Sequence, residues 1–424
     1  MSARVAGAMP VRAGNMGEPG STRREFLRSA AAASLAAPES TGARQSAIEG
    51  IERTVIWRGR QAGTVWFHPR ACRVPGKPPV VFMTLQPISG SDVFGPVHWS
   101  QSRDLGVSWS TPAPIPGMGR KLHPDGVEEG VCDVVPEYHP ATGTILAMGH
   151  NVYYKDNVLT RPNERRWPVY IVRSPAGRWP EVRKLEWDNP AASAMYTSGC
   201  SQRVTLANGD VLIPVSYGPL GRTDRAVSTV LCAFNGERLT VRRSGNEQRL
   251  EVGRGLLEPS LALFGGRYYM TIRAEDNRGY VTTSQNGLQW AEKIPWCWDN
   301  GEPLVLSSTQ QRWLPHSDAL FLVYTRKAAE NINVIRWRSP LYVAQVDTRK
   351  LRLIRDTEQI VFPMSGDGVT DPDSVAQLGN FHTTAVAPGF SIVTAGETMH
   401  KKGFRGDTLL ARIYWRRANR NVAG

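Results

Sequence analysis

Residues 102–109 (SRDLGVSW) and residues 283–290 (TSQNGLQW) share one spacing. In each, a hydroxylated residue is followed two positions later by an acid or amide, then by glycine at the fifth position and tryptophan at the eighth. A short acid or amide can bond the backbone of its own turn, glycine accepts a positive φ, and an indole ring can bury between sheets. The pattern predicts a hairpin turn locked by its own side chains.

Short apolar runs separated by Gly, Pro, Asn and Asp fill the chain from about residue 55 onward. Each run has the length of a strand, and several end in turn dipeptides such as Asn208-Gly209 and Asn235-Gly236. No hydrophobic pattern with the period of a helix extends over more than two turns. No linker segment divides the chain after about residue 55. A chain of 424 residues is larger than a usual single core, so it contains either two domains or one repetitive architecture. We therefore expect an all-β, repetitive fold.

The two tryptophan-ended stretches resemble the Asp-box repeats of the sialidase superfamily. In that family the repeats recur on successive blades of a six-bladed β-propeller. The first stretch matches fully, whereas Gln285 stands at the position of the acid in the second. The resemblance implies an all-β, six-bladed propeller of the sialidase type over residues 43–424. It bears on the fold alone, because such boxes also occur in proteins that are not enzymes.

The net charge and the cysteine content of the chain limit which ligands and partners we expect it to bind. The formal net charge of +13 attracts anions, but the basic residues are scattered and no zinc-finger spacing or RNA-binding signature is present. We expect no nucleic-acid partner. The five cysteines are odd in number and contain no C-x-x-C pair, so they predict neither a disulfide framework nor a zinc site. No metal and no cofactor is predicted.

The N-terminus resembles a twin-arginine export signal. A segment at residues 22–28 (TRREFLR) precedes an alanine-rich run that ends near residue 37. We expect residues 1–42 to be a leader and the mature protein to act in the periplasm or outside the cell. No later segment approaches 18 uninterrupted apolar residues, so no stable membrane insertion of the mature form is expected.

The first candidate site residues come from the order of motifs around the first box. Sialidases carry an Arg-Ile-Pro motif, then a Ser-Asp pair, then the box, and here Arg73-Val74-Pro75 and Ser91-Asp92 precede residue 102 at similar separations. The resemblance implies that Arg73 grips a substrate carboxylate and that Asp92 is the acid/base. An arginine suits this task because it offers parallel donors and keeps its proton. Arg70 is the alternative to Arg73.

A second cluster precedes the second box. Sialidases show a glutamate at the start of an inner strand, an arginine some fifteen residues later, and then a box. Here Glu258 and Arg273 stand in that order. The resemblance implies that Glu258 is a second catalytic carboxyl or activator and that Arg273 is a second clamp residue. A third arginine is expected late in the chain, and Arg338 is preferred over Arg326.

One expected residue has no clear counterpart. Retaining sialidases use a tyrosine nucleophile, yet no tyrosine lies between Leu378 and Tyr414. Tyr342 is the nucleophile candidate, with Tyr324 as a second choice. An inverting hydrolase needs only an acid, a base and a water, and a uronate lyase needs a base beside a carboxylate clamp.

Glu128 and His150 are further candidates for substrate recognition, because they belong to a stretch dense in ionisable groups. Taken together, these residues predict an exo-acting, sialidase-like glycoside hydrolase that removes a terminal acidic sugar such as sialic acid from a glycan. Two alternatives stay open: a hydrolase or lyase for uronate- or rhamnose-containing polysaccharide, and a propeller that binds carbohydrate without catalysis.

Overall fold

Six antiparallel sheets make up the described part of the chain, residues 46–160 and 165–422 of the computed structural model. They are arranged as the blades of a β-propeller, within the compact unit Gln45–Gly424. The predicted leader lies outside the described residues. No helix within the described ranges has the length and apolar character needed to cross a bilayer.

The first three blades follow each other along the chain. Blade 1 follows the N-terminal strand β1 (Ile48–Trp57) and consists of β2 (Trp66–Val74), β3 (Val80–Gly90), β4 (Val93–Phe94), β5 (His98–Ser102) and β6 (Ala113–Pro114). Blade 2 consists of β7 (Lys121–Leu122), β8 (Glu128–His139), β9 (Thr144–Lys155), β10 (Val158–Thr160), β11 (Pro168–Arg173) and β12 (Arg183–Lys184). Blade 3 consists of β13 (Met195–Thr197), β14 (Val204–Thr205), β15 (Val211–Gly218), β16 (Ala226–Phe234) and β17 (Leu239–Ser244).

The last three blades complete the ring. Blade 4 consists of β18 (Leu256–Phe264), β19 (Arg267–Ala274), β20 (Gly279–Ser284) and β21 (Ile294–Pro295). Blade 5 consists of β22 (Arg312–Pro315), β23 (Leu320–Tyr324), β24 (Leu341–Asp347), β25 (Arg352–Leu353) and β26 (Gln359–Phe362). Blade 6 consists of β27 (Gln377–Ala387), β28 (Phe390–Thr398) and β29 (Thr408–Trp415), followed by β1. The described helices are single 3₁₀ turns at Pro190–Ala192, Ala329–Asn331, Ile335–Trp337, Arg355–Thr357 and His400–Lys402.

The ring is closed by the two ends of the described chain. Strand β1 pairs with β29 from Ile48 opposite Trp415 to Trp57 opposite Thr408, and so becomes the outermost strand of blade 6. Backbone donors and acceptors along β29 are thereby paired on both sides, and β1 becomes the edge strand of the sheet. Ile48 is buried in the cluster that blades 5 and 6 share.

The core lies between neighbouring blades. Blades 2 and 3 share one apolar cluster, and blades 4 and 5 share another, in which Trp296 and Trp313 are wholly buried with ring centroids 5.9 Å apart. These rings take the edge-to-face arrangement that aromatic quadrupoles favour. Packing between sheets, rather than one central core, therefore holds the blades in place.

The two quoted turns join β5 to β6 in blade 1 and β20 to β21 in blade 4. In the first turn, a carboxylate oxygen of Asp104 accepts hydrogen bonds from Ser102 Oγ at 2.7 Å, Val107 N at 3.1 Å and Ser108 N at 2.9 Å. Gly106 has φ 90°, a conformation that favours glycine. The side chain thus satisfies backbone donors inside the turn, as the spacing predicts.

The second turn has a different register from the one inferred. Asn286, not Gln285, accepts from Leu288 N at 2.9 Å and from Gln289 N at 2.8 Å, while Ser284 Oγ accepts from Gly287 N at 2.9 Å. The second turn is therefore one residue shorter than the first between the acid or amide and the glycine, and an amide oxygen fills the place of the carboxylate.

We expect Asp104→Ala to lower the free energy of unfolding by about 1–2 kcal/mol, because backbone donors of the turn lose their acceptor. Asp104→Asn is the matched control, since the blade 4 turn is built on Asn286, and it should lose less than half as much. Urea unfolding midpoints measure both. Equal loss in the two variants would contradict the idea that an oxygen acceptor is what the turn needs.

The closure of the ring has its own test. Ile48 is 2% exposed and Val55, on the same strand, is 38% exposed. Truncation of a buried isoleucine leaves a cavity, so Ile48→Ala should cost about 2–4 kcal/mol of unfolding free energy, whereas Val55→Ala should change it by no more than about 0.5 kcal/mol. Chemical denaturation checks the difference, and equal effects would show that β1 does not contribute to the cooperative core.

Candidate active site

A cavity of about 640 Å³ lies where the inner strands of the blades begin and their second strands end, and all six blades contribute to its wall. Its charged wall residues are six arginines and four acids. They are Arg166, Arg225, Arg254, Arg273, Arg336 and Arg338 with Asp92, Asp133, Glu258 and Glu275. A concave site with more cationic than anionic groups attracts anionic ligands.

Irregular backbone on the inner strands helps to place side chains in this wall. Inner strands β2, β8, β18 and β27 each show a register shift, and a polar residue within each shift has a positive φ. These residues are His68, Asp133, Glu258 and Asn380, with φ between 44° and 58°; the last three line the cavity, whereas His68 is buried and does not. A bulge interrupts the alternation of side chains along a strand and re-aims the residue that it contains. The same device thus recurs in blades 1, 2, 4 and 6.

Glu258 and Arg273 form an ion pair inside the cavity. Arg273 Nη1 donates to Glu258 Oε1 at 2.7 Å, and the arginine side chain is 10% exposed. Burial lowers the pKa of Arg273, but the charge and hydrogen bond of Glu258 outweigh burial and raise the pKa above its ordinary value. The arginine stays fixed and charged while Glu258, at 27% exposure, keeps part of its surface toward the cavity.

Arg338 lies in the same wall. Its Nη2 donates to Thr309 Oγ1 at 3.2 Å and to Asn380 Oδ1 at 3.4 Å, while its buried Nε has no hydrogen-bond partner among the described residues. Burial, with the charge of Arg273 nearby, lowers the pKa of Arg338 to about 10. The guanidinium is still protonated at neutral pH, so two of the three predicted clamp arginines share one cavity.

Asp133 is a central group of the wall that the sequence analysis did not assign. It accepts from Arg70 Nη2 at 2.5 Å and from Asn380 Nδ2 at 3.3 Å, and His68 Nε2 lies 3.6 Å away. Burial would raise the pKa of Asp133, but the neighbouring cationic and imidazole groups hold it well below its usual range. Asp133 is therefore a fixed anion. Arg70 is wholly buried behind it and is not itself a wall residue.

Asp92 and His150 also belong to the wall. Asp92 lies in the turn between β3 and β4 with φ 56°, is exposed, and accepts a hydrogen bond on its backbone oxygen from the Tyr154 hydroxyl at 3.1 Å. Burial lowers the pKa of His150 to about 4, against the opposing charge of Asp133. His150 is thus a neutral imidazole at pH 7, and the Asp92 side chain lies at the mouth, where a substrate can reach it.

Besides Arg70, three candidates lie outside the wall. Arg73 donates from Nε to the backbone oxygen of Val386 at 3.1 Å, Glu128 accepts from Arg120 at 3.1 Å, and the Tyr342 hydroxyl donates to Glu330 at 2.9 Å. None of the three lines the cavity. Arg73 is seven residues beyond the start of β2, which is roughly 20 Å along an extended strand. Tyr342 is buried on β24, a third strand.

The cavity wall, as far as the described residues form it, contains no tyrosine. The wall does contain two histidines, His150 and His400. A hydroxyl nucleophile of the kind that the resemblance implies is therefore missing from the described wall.

Two arginines that were not assigned share a position in the sequence with Arg338, which was assigned. Arg166 and Arg225 precede the third strands of blades 2 and 3, β11 and β16, as Arg338 precedes β24 of blade 5, and all three reach the cavity. Aligning the blades by their third strands would have found them. No such signal marks Glu275 or Arg254, which pair with each other across the start of blade 4.

Comparison with solved structures identifies the fold. A protein of unknown function from Dyadobacter fermentans superposes with a TM-score of 0.61 at 13% identity, over 87% of this chain and 100% of that chain. A Trypanosoma rangeli sialidase superposes with a TM-score of 0.57 at 13% identity, over 86% of this chain and 59% of that chain. A Hadza microbial sialidase, Hz136, gives 0.57 at 12% identity, over 82% of this chain and 65% of that chain.

No family model and no curated protein matches the sequence. At 13% identity, likeness to a solved structure shows the fold alone, and the chain spans about three-fifths of the Trypanosoma rangeli sialidase. The prediction of an all-β, six-bladed propeller of the sialidase type is confirmed.

Proposed function

We propose that this chain is an exo-acting, sialidase-like glycoside hydrolase that removes a terminal acidic sugar from a glycan. The observation that carries the proposal is the convergence of Arg273 and Arg338 with Asp92 and Glu258 in one cavity. A cavity of about 640 Å³ has the size of small-molecule sites and suits one terminal sugar with part of its neighbour.

The two arginines support recognition of a carboxylate. Arg338 has a buried Nε with no partner among the described residues, and a carboxylate can accept from Nε and a terminal nitrogen of one guanidinium at once. Arg273 already shares its charge with Glu258, so it serves both as a clamp and as an anchor for that carboxylate.

The acidic groups support acid/base chemistry through water. The Asp92 side chain is exposed at the mouth, where it can protonate a leaving glycosidic oxygen, and Glu258 lies deeper and can orient or activate a water molecule. With no tyrosine in the described wall, direct attack of water with inversion is favoured over a covalent tyrosyl intermediate. Sialic acid is the first substrate to test, since the Trypanosoma rangeli sialidase has been solved in complex with it.

Elimination from a uronate is the second candidate, favoured by the two imidazoles of the wall. Burial lowers the pKa of both His150 and His400, so each is neutral at pH 7 and can accept a proton beside the carboxylate clamp. Such a lyase releases an unsaturated uronate, which absorbs in the ultraviolet, and a hydrolase does not.

The proposed hydrolysis is tested by sugar release from sialylated, uronate-containing and rhamnose-containing glycans. Asp92→Asn and Glu258→Gln should each lower kcat by about 10²–10⁴-fold, because each removes a proton-transferring or activating carboxylate at nearly constant volume. Glu128→Gln is the matched control, since that acid lies outside the wall, and it should leave kcat unchanged.

The configuration of the first product, followed by proton NMR, tests the water-mediated step. Inversion supports it, and retention would overturn it. Release of unsaturated uronate would replace hydrolysis by elimination, and glycan binding without any product would reduce the protein to a carbohydrate-binding propeller.

The clamp has a separate test. Arg338→Lys keeps the charge but loses the planar pair of donors, so KM for the acidic substrate should rise about tenfold to 100-fold, as expected when a charge-assisted hydrogen bond of about 1.5–3 kcal/mol is lost. Arg73→Lys, outside the wall, should leave KM unchanged. A larger effect of Arg73→Lys than of Arg338→Lys would favour the original assignment of Arg73.

A further inference from the structure

Three potential metal-ligand atoms meet in the cavity wall on the side of blade 2. Cys132 Sγ lies 3.4 Å from His150 Nε2 and 3.9 Å from Asp133 Oδ2, and ligand atoms of the three residues all lie within 4.8 Å of one another. All three residues line the cavity. The proposed hydrolysis uses none of these three side chains.

The fold brings them together by two local features. Cys132 on β8 and His150 on β9 are cross-strand partners, so their side chains lie on the same face of the sheet. Asp133 would point to the opposite face of a regular strand, but it lies within the register shift of β8 and has φ 58°. The bulge brings the Asp133 carboxylate to the side of its neighbour.

We propose that Cys132, Asp133 and His150 bind one Zn²⁺ ion, with a fourth coordination position toward the cavity. Zinc bonds of about 2.0–2.3 Å to sulfur, nitrogen and oxygen in a tetrahedron separate the ligand atoms by about 3.3–3.8 Å. The distances of 3.4 and 3.9 Å are close to that range. A mixed thiolate, imidazole and carboxylate set suits zinc, whereas Ca²⁺ and Mg²⁺ prefer oxygen alone.

The surroundings leave the required atoms available. Arg70 Nη2 bonds the other oxygen of Asp133, Oδ1, at 2.5 Å and so orients the carboxylate with Oδ2 toward Cys132. A Cβ on Gly199 would lie 2.1 Å from His150 Nδ1, so the chain covers that nitrogen and leaves Nε2 as the ligand atom.

The charges also balance. On binding, the Cys132 thiol releases one proton to solvent, and the thiolate and the Asp133 carboxylate together neutralise the two charges of the ion. The occupied site therefore carries no net charge beside Arg70, which limits the cost of burying it. Three protein ligands with one open position are the arrangement of zinc sites that bind water or substrate.

The test is titration of the purified protein, freed of metal by a chelator, with Zn²⁺ alone and with Co²⁺ as a spectroscopic probe. We expect one ion per chain and, with Co²⁺, an absorption band from the thiolate ligand. Cys132→Ser and His150→Gln should each weaken zinc binding at least about tenfold, the loss seen when even a residue behind a metal ligand is removed. Cys132→Ser should also abolish the band.

Matched controls lie elsewhere in the chain. Cys297→Ser removes a cysteine of blade 4, and His400→Gln removes an imidazole of the same cavity that is not in the cluster. Both should bind zinc like the unchanged protein. Thermal unfolding without zinc checks that each variant folds.

The inference is overturned by less than one zinc per chain at saturation, by unchanged affinity in folded Cys132→Ser, or by equal loss in His400→Gln and His150→Gln. Because the readout is metal binding, its outcome is independent of whether any glycan is cleaved.

Discussion

The pairing of β1 with β29 is the constraint on which the rest of the molecule depends. The cavity lies where six blades meet, so its wall exists only while the ring is closed. Closure joins Ile48 to Trp415 through backbone hydrogen bonds and through the apolar cluster of blades 5 and 6. Within the closed ring, Asn380 of blade 6 donates to Asp133 of blade 2 at 3.3 Å, so residues from distant blades meet in one wall.

Within the closed ring, the bulges of the inner strands interrupt the regular backbone and place polar side chains in the cavity wall or, for His68, directly beside it. A non-glycine residue with positive φ costs of order 1–3 kcal/mol, and His68, Asp133, Glu258 and Asn380 each carry that conformation. The surrounding hydrogen bonds hold them there: Arg70 bonds Asp133 and Arg273 bonds Glu258. Strain at these four positions therefore accompanies the electrostatic network of the site.

The fold was accessible from the sequence because its signals are local. The spacing from Ser102 to Trp109 predicts a single turn from eight consecutive residues. The structure forms that turn with the hydrogen bonds that the spacing predicts. The second turn shows the limit of such reading, since Gln285 and Asn286 are adjacent and chemically alike, and only the hydrogen bonds tell them apart.

The site was accessible only in part, because its residues meet across blades. Glu258 and Arg273 belong to paired neighbouring strands of one blade, so their separation in sequence is informative. Arg73 was assigned from a motif whose order matched but whose position along β2 lies too far from the cavity. Asp133 and Asn380 are 247 residues apart in the sequence. Their side chains meet in the cavity wall because of β-bulges, which no residue pattern predicts.

Ring closure also has a consequence for biosynthesis. A ribosome makes β1 before the other described strands and its partner β29 after them, so Ile48 has no native partner while the intervening strands are translated. During that interval the pairing edge of β1 and its apolar face have no native partner. The nascent chain must therefore keep this strand from associating with other chains until β29 has been translated, and the pairing that follows also completes the cavity.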